Sequence, residues 1–189
     1  AKVLSKQLAS GRAESLNAIS EGCVICAERL FASGKSKDAA QLYDQVRNAN
    51  VSTQRRLEAT RGAILSRNSG GLPLLLEQLR SADRAEFAMA LRTARELPGQ
   101  RITEAIGAEL DKARGDRETM ILLALADRND PAVLPRLLKA AEHTSKPTRI
   151  AALGLLDKFG DLVTVPVLLN AAAKSEEHTS ELQSRFGIS

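Results

Sequence analysis

From Ser52 onward the apolar positions of the chain recur every 31 residues. Leu72, Thr103, Leu134 and Val165 share one position of the period, followed by Pro73, Glu104, Pro135 and Pro166, and two residues later by Leu75, Ile106, Leu137 and Leu168. Upstream in each unit the same offset aligns Ala59, Ala90, Ile121 and Ala152, then Thr60, Leu91, Leu122 and Leu153, then Ala63, Ala94, Leu125 and Leu156. Apolar residues three and four apart mark one face of a helix. Each unit is therefore predicted to hold a first helix, a tight turn around Asn68, Gly99, Asp130 or Asp161, and a second helix. Proline opens that second helix in three of the four units, where its missing amide hydrogen costs nothing. Ser52 is an expected N-cap, and Asp83, Gly115, Pro147 and Gly160 are further caps or breaks. A period of this length predicts an all-α array of stacked hairpins, because no single hairpin can bury its own apolar face.

Upstream of Ser52 the pattern is looser. Residues 1–20 are weakly patterned, with Gly11 separating a short first helix from the next. Leu30, Phe31, Ala39, Leu42, Tyr43 and Val46 then fall at helical spacing. The segment GCVICAERLFASGKSKDAAQLYDQVRNA resembles one tetratricopeptide hairpin. In that motif Gly34 ends the first helix, Ala39 lets the second pack closely, and Tyr43 fills the gap between them. Residues 52–174 resemble HEAT repeats, most clearly in PTRIAALGLLDKFGDLVTVPVLLNAA and in ALADRNDPAVLPRLLKAA. The second unit departs from the pattern at Glu104 and AIGAEL, so its second helix is expected to start differently. The resemblance implies a right-handed α-solenoid whose second helices line the concave side. The domains expected are an N-terminal helical part over 1–51 and four units over 52–174. Similar HEAT arrays sit in large bacterial multidomain proteins beside cytochrome, dehydrogenase-like or sugar-active domains. This implies an internal piece of such a protein, with an extracytoplasmic leaning.

Residues 175–184 read SEEHTSELQS and are followed by RFGIS. This string resembles the conceptual translation of a short-read sequencing adapter. Residues 175–189 are therefore expected to be a non-native, disordered tail and are left out of fold reasoning. His178 goes with them, which leaves His143.

Composition narrows the core. Aromatic residues make up 3% of the chain and tryptophan is absent, so Leu, Ala, Ile and Val must fill the interior. Small residues suit close helix packing. The formal charge of +4 becomes +6 once 175–189 are set aside, and residues 47–101 carry ten arginines against five acids. Such a stretch could meet nucleic acid, an acidic partner or anionic lipid, or form a solvated outer face. Spacing pairs Glu58 with Arg61 and Arg92 with Glu96 along their helices. No apolar run approaches the ~20 residues of a membrane span.

Residues with chemistry are few. Cys23 and Cys26 form a CxxC, but Ala27 stands where haem attachment needs histidine. A redox pair would want a helix N-terminus, whereas this one lies within a helical stretch. A zinc site would need further Cys or His ligands. Packing of two small side chains is the reading that remains. His143 follows a second helix, where it could meet the helix dipole. Asp127, Asn129 and Asp130 match a turn rather than a calcium loop. No catalytic set, cofactor motif or metal site is expected, and an enzyme such as a HEAT-type lyase would need one.

Two functional expectations follow. The first is a non-catalytic scaffold that binds a protein partner or neighbouring domains of its own chain. Its candidate surface is the mixed-charge strip Glu77, Arg80, Arg101, Glu109, Asp111, Arg136, Lys139 and Glu142. The alternative is nucleic-acid binding through Arg55, Arg56, Arg61, Arg92, Arg95 and Arg101, provided these share one face. Stacking on single strands would want aromatics, and this region offers only Phe87.

Overall fold

The computed structural model describes residues 8, 13–143, 145–159 and 162–173. Gly11, Gly160, Asp161 and the whole 175–189 tail, with the expectations placed on them, lie outside the described residues. Every regular element among the described residues is helical. In chain order these are α1 (Ala13–Ala32), α2 (Ser36–Arg47), α3 (Thr53–Leu65), α4 (Leu72–Arg80), α5 (Arg84–Glu96), α6 (Gln100–Leu110), α7 (Asp116–Ala126), α8 (Leu134–Ala141) and α9 (Lys146–Leu156). A further helix, α10, spans 165–173. No helix among the described residues is long and apolar enough to cross a membrane.

The chain divides into two compact units, Ala1–Glu109 and Leu110–Ser189. The boundary falls inside the repeat, so the first unit joins the N-terminal hairpin to the helices that follow Ser52. In that unit α1 packs on α2 and α3, α3 packs on α2 and α5, and α4 packs on α5. In the second unit α9 packs on both α7 and α8. Within each unit one first helix thus packs on another, α3 on α5 in the first and α7 on α9 in the second.

The periodic positions are the innermost ones. Leu75, Ile106 and Leu137 are fully buried, as are Ala59, Ala90, Ala152, Ala63, Ala94, Leu125 and Leu156, all at 0% exposure. Burial of a leucine or isoleucine stabilises by about 1.5–3 kcal/mol, so these columns supply much of the driving force. The turns follow the same register in the first two units, and in the third the left-handed residue comes one position early, at Asn129 rather than Asp130. Asn68, Gly99 and Asn129 take positive φ of 49°, 108° and 52°, the left-handed conformation that Gly and Asn tolerate best. Ser52 and Asp83 cap as expected: Ser52 Oγ accepts from the Arg55 amide, and Asp83 Oδ1 from the amides of Ala85 and Glu86.

The second unit of the period does start differently. Where Pro73 and Pro135 occupy the first turn, the chain enters through 3₁₀ turns, Asn68–Gly71 and Pro131–Val133. Glu104 has an amide hydrogen that proline lacks, and α6 runs as α-helix from Gln100. A proline imide cannot bond back into a preceding turn, which explains the contrast.

Two glycines are required by close approach. Tyr43 is buried between helices, and its ring lies so near Gly62 of α3 that a methyl group there would overlap it. Tyr43 thus packs across the α2–α3 contact as well as within its own hairpin, and locks 36–47 onto α3. At Gly71 a methyl group would overlap the Ile64 carbonyl oxygen, so the start of α4 lies directly against the end of α3.

Gly71→Ala must push backbone from backbone and is expected to cost about 1–3 kcal/mol. Gly70→Ala, whose nearest neighbour would be Arg67 Cβ at 3.8 Å, should stay within about 0.5 kcal/mol. Urea unfolding midpoints of the two variants check the difference. Tyr43 gives a second test, since it is the only tyrosine in a chain without tryptophan. Burial, and secondarily the charge of Glu28, push its phenol up from 10.0 to about 12 against the opposing charge of Arg61. The unfolded chain ionises first, so this stabilisation is complete below pH 10 and disappears as pH rises through about 12. Tyrosinate absorbance should show the late midpoint, and Tyr43→Phe should reduce the alkaline loss of stability.

Candidate functional site

The strip expected to bind a partner separates into three groups. Glu77, Arg101 and Glu142 are exposed and stand apart from the groove described next. Arg80 and Glu109 form a two-point ion pair within the first unit. Arg80 Nε donates to Glu109 Oε2 at 2.8 Å and Nη2 to Oε1 at 2.6 Å. Glu109 is buried and Arg80 exposed. The hydrogen bond and charge of Glu109 push the Arg80 guanidinium further above its already high range. This pair ties α4 to α6, so Glu109 serves packing and is closed to a partner.

The third group converges. Asp111, Arg136 and Lys139 line one groove of the second unit, of about 290 Å³, together with Leu110, Arg114, Glu118, Leu122, Ala140, His143 and Thr148. The local sequence accounts for each placement. Arg136, Lys139, Ala140 and His143 follow helical spacing and form one stripe on α8 and just past its end. Glu118 and Leu122 lie one turn apart on α7. Asp111 and Arg114 sit in the turn that Gly115 closes with φ of 61°.

Within this groove some charges are matched and others are not. Arg136 Nη2 donates to Asp111 Oδ2 at 3.3 Å, while its Nε is buried with no hydrogen-bond partner among the described residues. His143 Nε2 lies 3.2 Å from Glu118 Oε1, and its Nδ1 accepts from the Ser145 amide at 3.0 Å. That pattern places the ring proton on Nε2. Arg114 Nη1 donates to the carbonyls of Asp111 and Ala113, so its charge meets no carboxylate among the described residues. Lys139 likewise has no ion pair among them. The groove thus offers two unmatched cations over the apolar Leu110, Leu122 and Ala140. Its one hydroxyl, on Thr148, is bonded to Thr119 and Ser145.

At least half of the ten arginines of the basic stretch are matched to carboxylates. Arg47 and Arg67 both bond Asp44, Arg55 reaches Glu21 and Glu58, Arg61 reaches Glu96, and Arg80 reaches Glu109. Three of these carboxylates, Glu21, Asp44 and Glu109, come from outside 47–101, where a count along the chain does not see them. The expected Glu58–Arg61 pairing is corrected: Glu58 bonds Gln54 and Arg55, and Arg61 crosses from α3 to Glu96 of α5 at 2.5 Å. Arg61 and Arg92 do share a groove of about 670 Å³, but Glu58 and Glu96 line it too, beside Gln54, Leu57 and Met89. Arg55, Arg56, Arg95 and Arg101 do not line it.

The remaining residues with chemistry have structural surroundings. Cys23 is buried in the α1–α3 core with Val24, Ala27, Ala39 and Tyr43. Burial, then the neighbouring Cys26, pushes its thiol up, away from the thiolate a redox or metal role needs. Asp130 caps its turn through the Ala132 amide, and Asp127 pairs with Lys158 at 3.7 Å. Among the described residues no group of three or more His, Cys, Asp or Glu could hold a metal ion. No family model matches the chain, and no curated protein or solved structure matches it either.

The two interhelical arginine pairs should differ in weight. Arg80→Ala strips a buried carboxylate of a two-point partner and is expected to lower the thermal midpoint by several degrees. Arg61→Ala breaks a pair exposed on both sides, where ion pairs contribute little, and should shift it by about a degree or less. Circular-dichroism melts of the two variants decide this.

Proposed function

We propose that this chain is a non-catalytic interaction module, a right-handed α-solenoid of HEAT-like hairpins carrying one tetratricopeptide-like hairpin on its N-terminal side. The 31-residue burial columns and the packing of α1 on α3, α3 on α5 and α7 on α9 support the architecture. The observation that carries the functional reading is the groove of the second unit, where Asp111, Arg136 and Lys139 meet over an apolar floor. Its unmatched cations, Arg114 and Lys139, favour an acidic protein segment that inserts a small apolar side chain. The segment would belong to a separate protein or to a neighbouring domain of the same chain. Charge complementarity of this kind sets specificity and association rate more than raw affinity. The carboxylates around Arg55 and Arg61 weigh against a phosphate backbone as the ligand of the basic stretch.

Random peptides displayed on phage and selected against the full chain should enrich Asp and Glu flanking Leu, Ile or Val. Lys139→Glu should weaken the selected peptides about tenfold, and added salt should weaken them further. Peptides without acids, or indifferent to Lys139→Glu, would remove the groove from the reading. Duplex DNA that binds at physiological salt and is released by Arg61→Glu with Arg92→Glu would install the nucleic-acid alternative.

A further inference from the structure

The last hairpin breaks the burial rule that its predecessors obey. Leu75, Ile106 and Leu137 are at 0% exposure, whereas Leu168 in the same column is at 37%. Leu169 is 66% exposed, although Gly107 in its column is buried and Leu76 and Leu138 are half-buried. Leu162, at 86%, is apolar where the earlier units carry Ser69, Gln100 and Pro131. Val163, Val165 and Ile150 are exposed as well.

The direction of this face can be read from the earlier units. Ile150 shares its column with Leu57 and Thr119. Leu57 faces the following first helix across the groove it lines with Met89. Thr119 bonds Thr148 of the following first helix, with the two hydroxyls 3.0 Å apart. Two of the three earlier side chains in this column, Leu57 and Thr119, therefore address the next first helix, while Ala88 is exposed; Ile150 addresses solvent.

We propose that Ile150 and the apolar surface of 162–169 form a docking face for one further helical hairpin continuing the 31-residue register. This rests on the repeat reading and names its partner: two helices that bring an apolar face against α9 and α10. The occupant follows from continuity with an interface already present, since the α7–α9 contact repeated one unit onward places a first helix over Ile150. Terminal units of such arrays carry a polar outer face when nothing covers them, and this one carries leucine and valine.

The test inserts a copy of residues 112–142 between Ala173 and Lys174 of the full chain, which preserves the register. Hydrogen exchange of the amides of 165–173 should slow by about tenfold or more, with a higher thermal midpoint. Leu169→Glu together with Ile150→Glu should abolish both gains in the extended chain and leave the unextended chain near its own midpoint. A second insert, a copy of residues 81–111, guards against one hairpin that fails to form; unchanged exchange with both overturns the proposal. A dimer of the unextended chain in light scattering that Leu169→Glu dissolves also overturns it, by assigning the face to a second copy. Loss of groove peptides with hairpin docking intact would sink the groove reading alone.

Discussion

A two-helix hairpin has an apolar face on each helix and only one partner helix of its own. Everything else in this chain answers that constraint. The leucine and isoleucine columns supply the apolar area, and the alanine columns at Ala59, Ala90, Ala63 and Ala94 keep the first helices close to their neighbours. Where approach is closest, alanine is already too large: Gly62 yields to the Tyr43 ring and Gly71 to the Ile64 carbonyl. With so few aromatic residues, the core depends on many small contacts rather than on a few large side chains. Dispersion of that kind falls steeply with separation, so each small residue matters as spacing more than as burial.

Packing in turn arranges charge. Bringing α3 beside α5, and α4 within reach of α6, places arginines opposite carboxylates that lie far away along the chain. Arg61 meets Glu96 and Arg80 meets Glu109 because the helices meet, and their charges are largely spent within the fold. In the groove of the second unit, what this pairing leaves for a ligand is Arg114 and Lys139. The functional reading therefore depends on which cations packing leaves over, and the total number of arginines is a poor guide to it.

This explains what could be read from residue order. The burial columns, the turns at Asn68 and Gly99 and the caps at Ser52 and Asp83 are local or periodic, so position alone predicts them. The altered start of α6 was also legible, because a single missing proline changes which amides can bond. Among the candidate site residues, Asp111, Arg136 and Lys139 were placed on one strip and do share a groove. Arg114, Glu118 and His143 were not assigned to it, although the spacing of residues 136, 139, 140 and 143 traces a helical stripe that could have drawn His143 in. The burial of Glu109 and the crossing of Arg61 were not legible, since each depends on a partner 29 or 35 residues away. Gly71 carried no signal either, as only the fold reveals the carbonyl beside it.

The groove and the proposed end face differ in what they can contribute. Exposed or partly exposed charges such as Arg114 and Lys139 supply about 0–1 kcal/mol per pair, and salt reduces it. Each large aliphatic side chain moved from water into a packed contact supplies about 1.5–3 kcal/mol. The five exposed Leu, Ile and Val side chains from Ile150 to Leu168, with Leu169 beside them, therefore outweigh the groove even at partial burial. A contact at the end face would be durable and largely indifferent to salt, as an internal joint of an array must be. A contact at the groove would be weak, selective and quick to release, as suits exchange between partners. On the proposed reading the two surfaces would do separate work: one would extend the scaffold, and the other would let the extended scaffold be addressed.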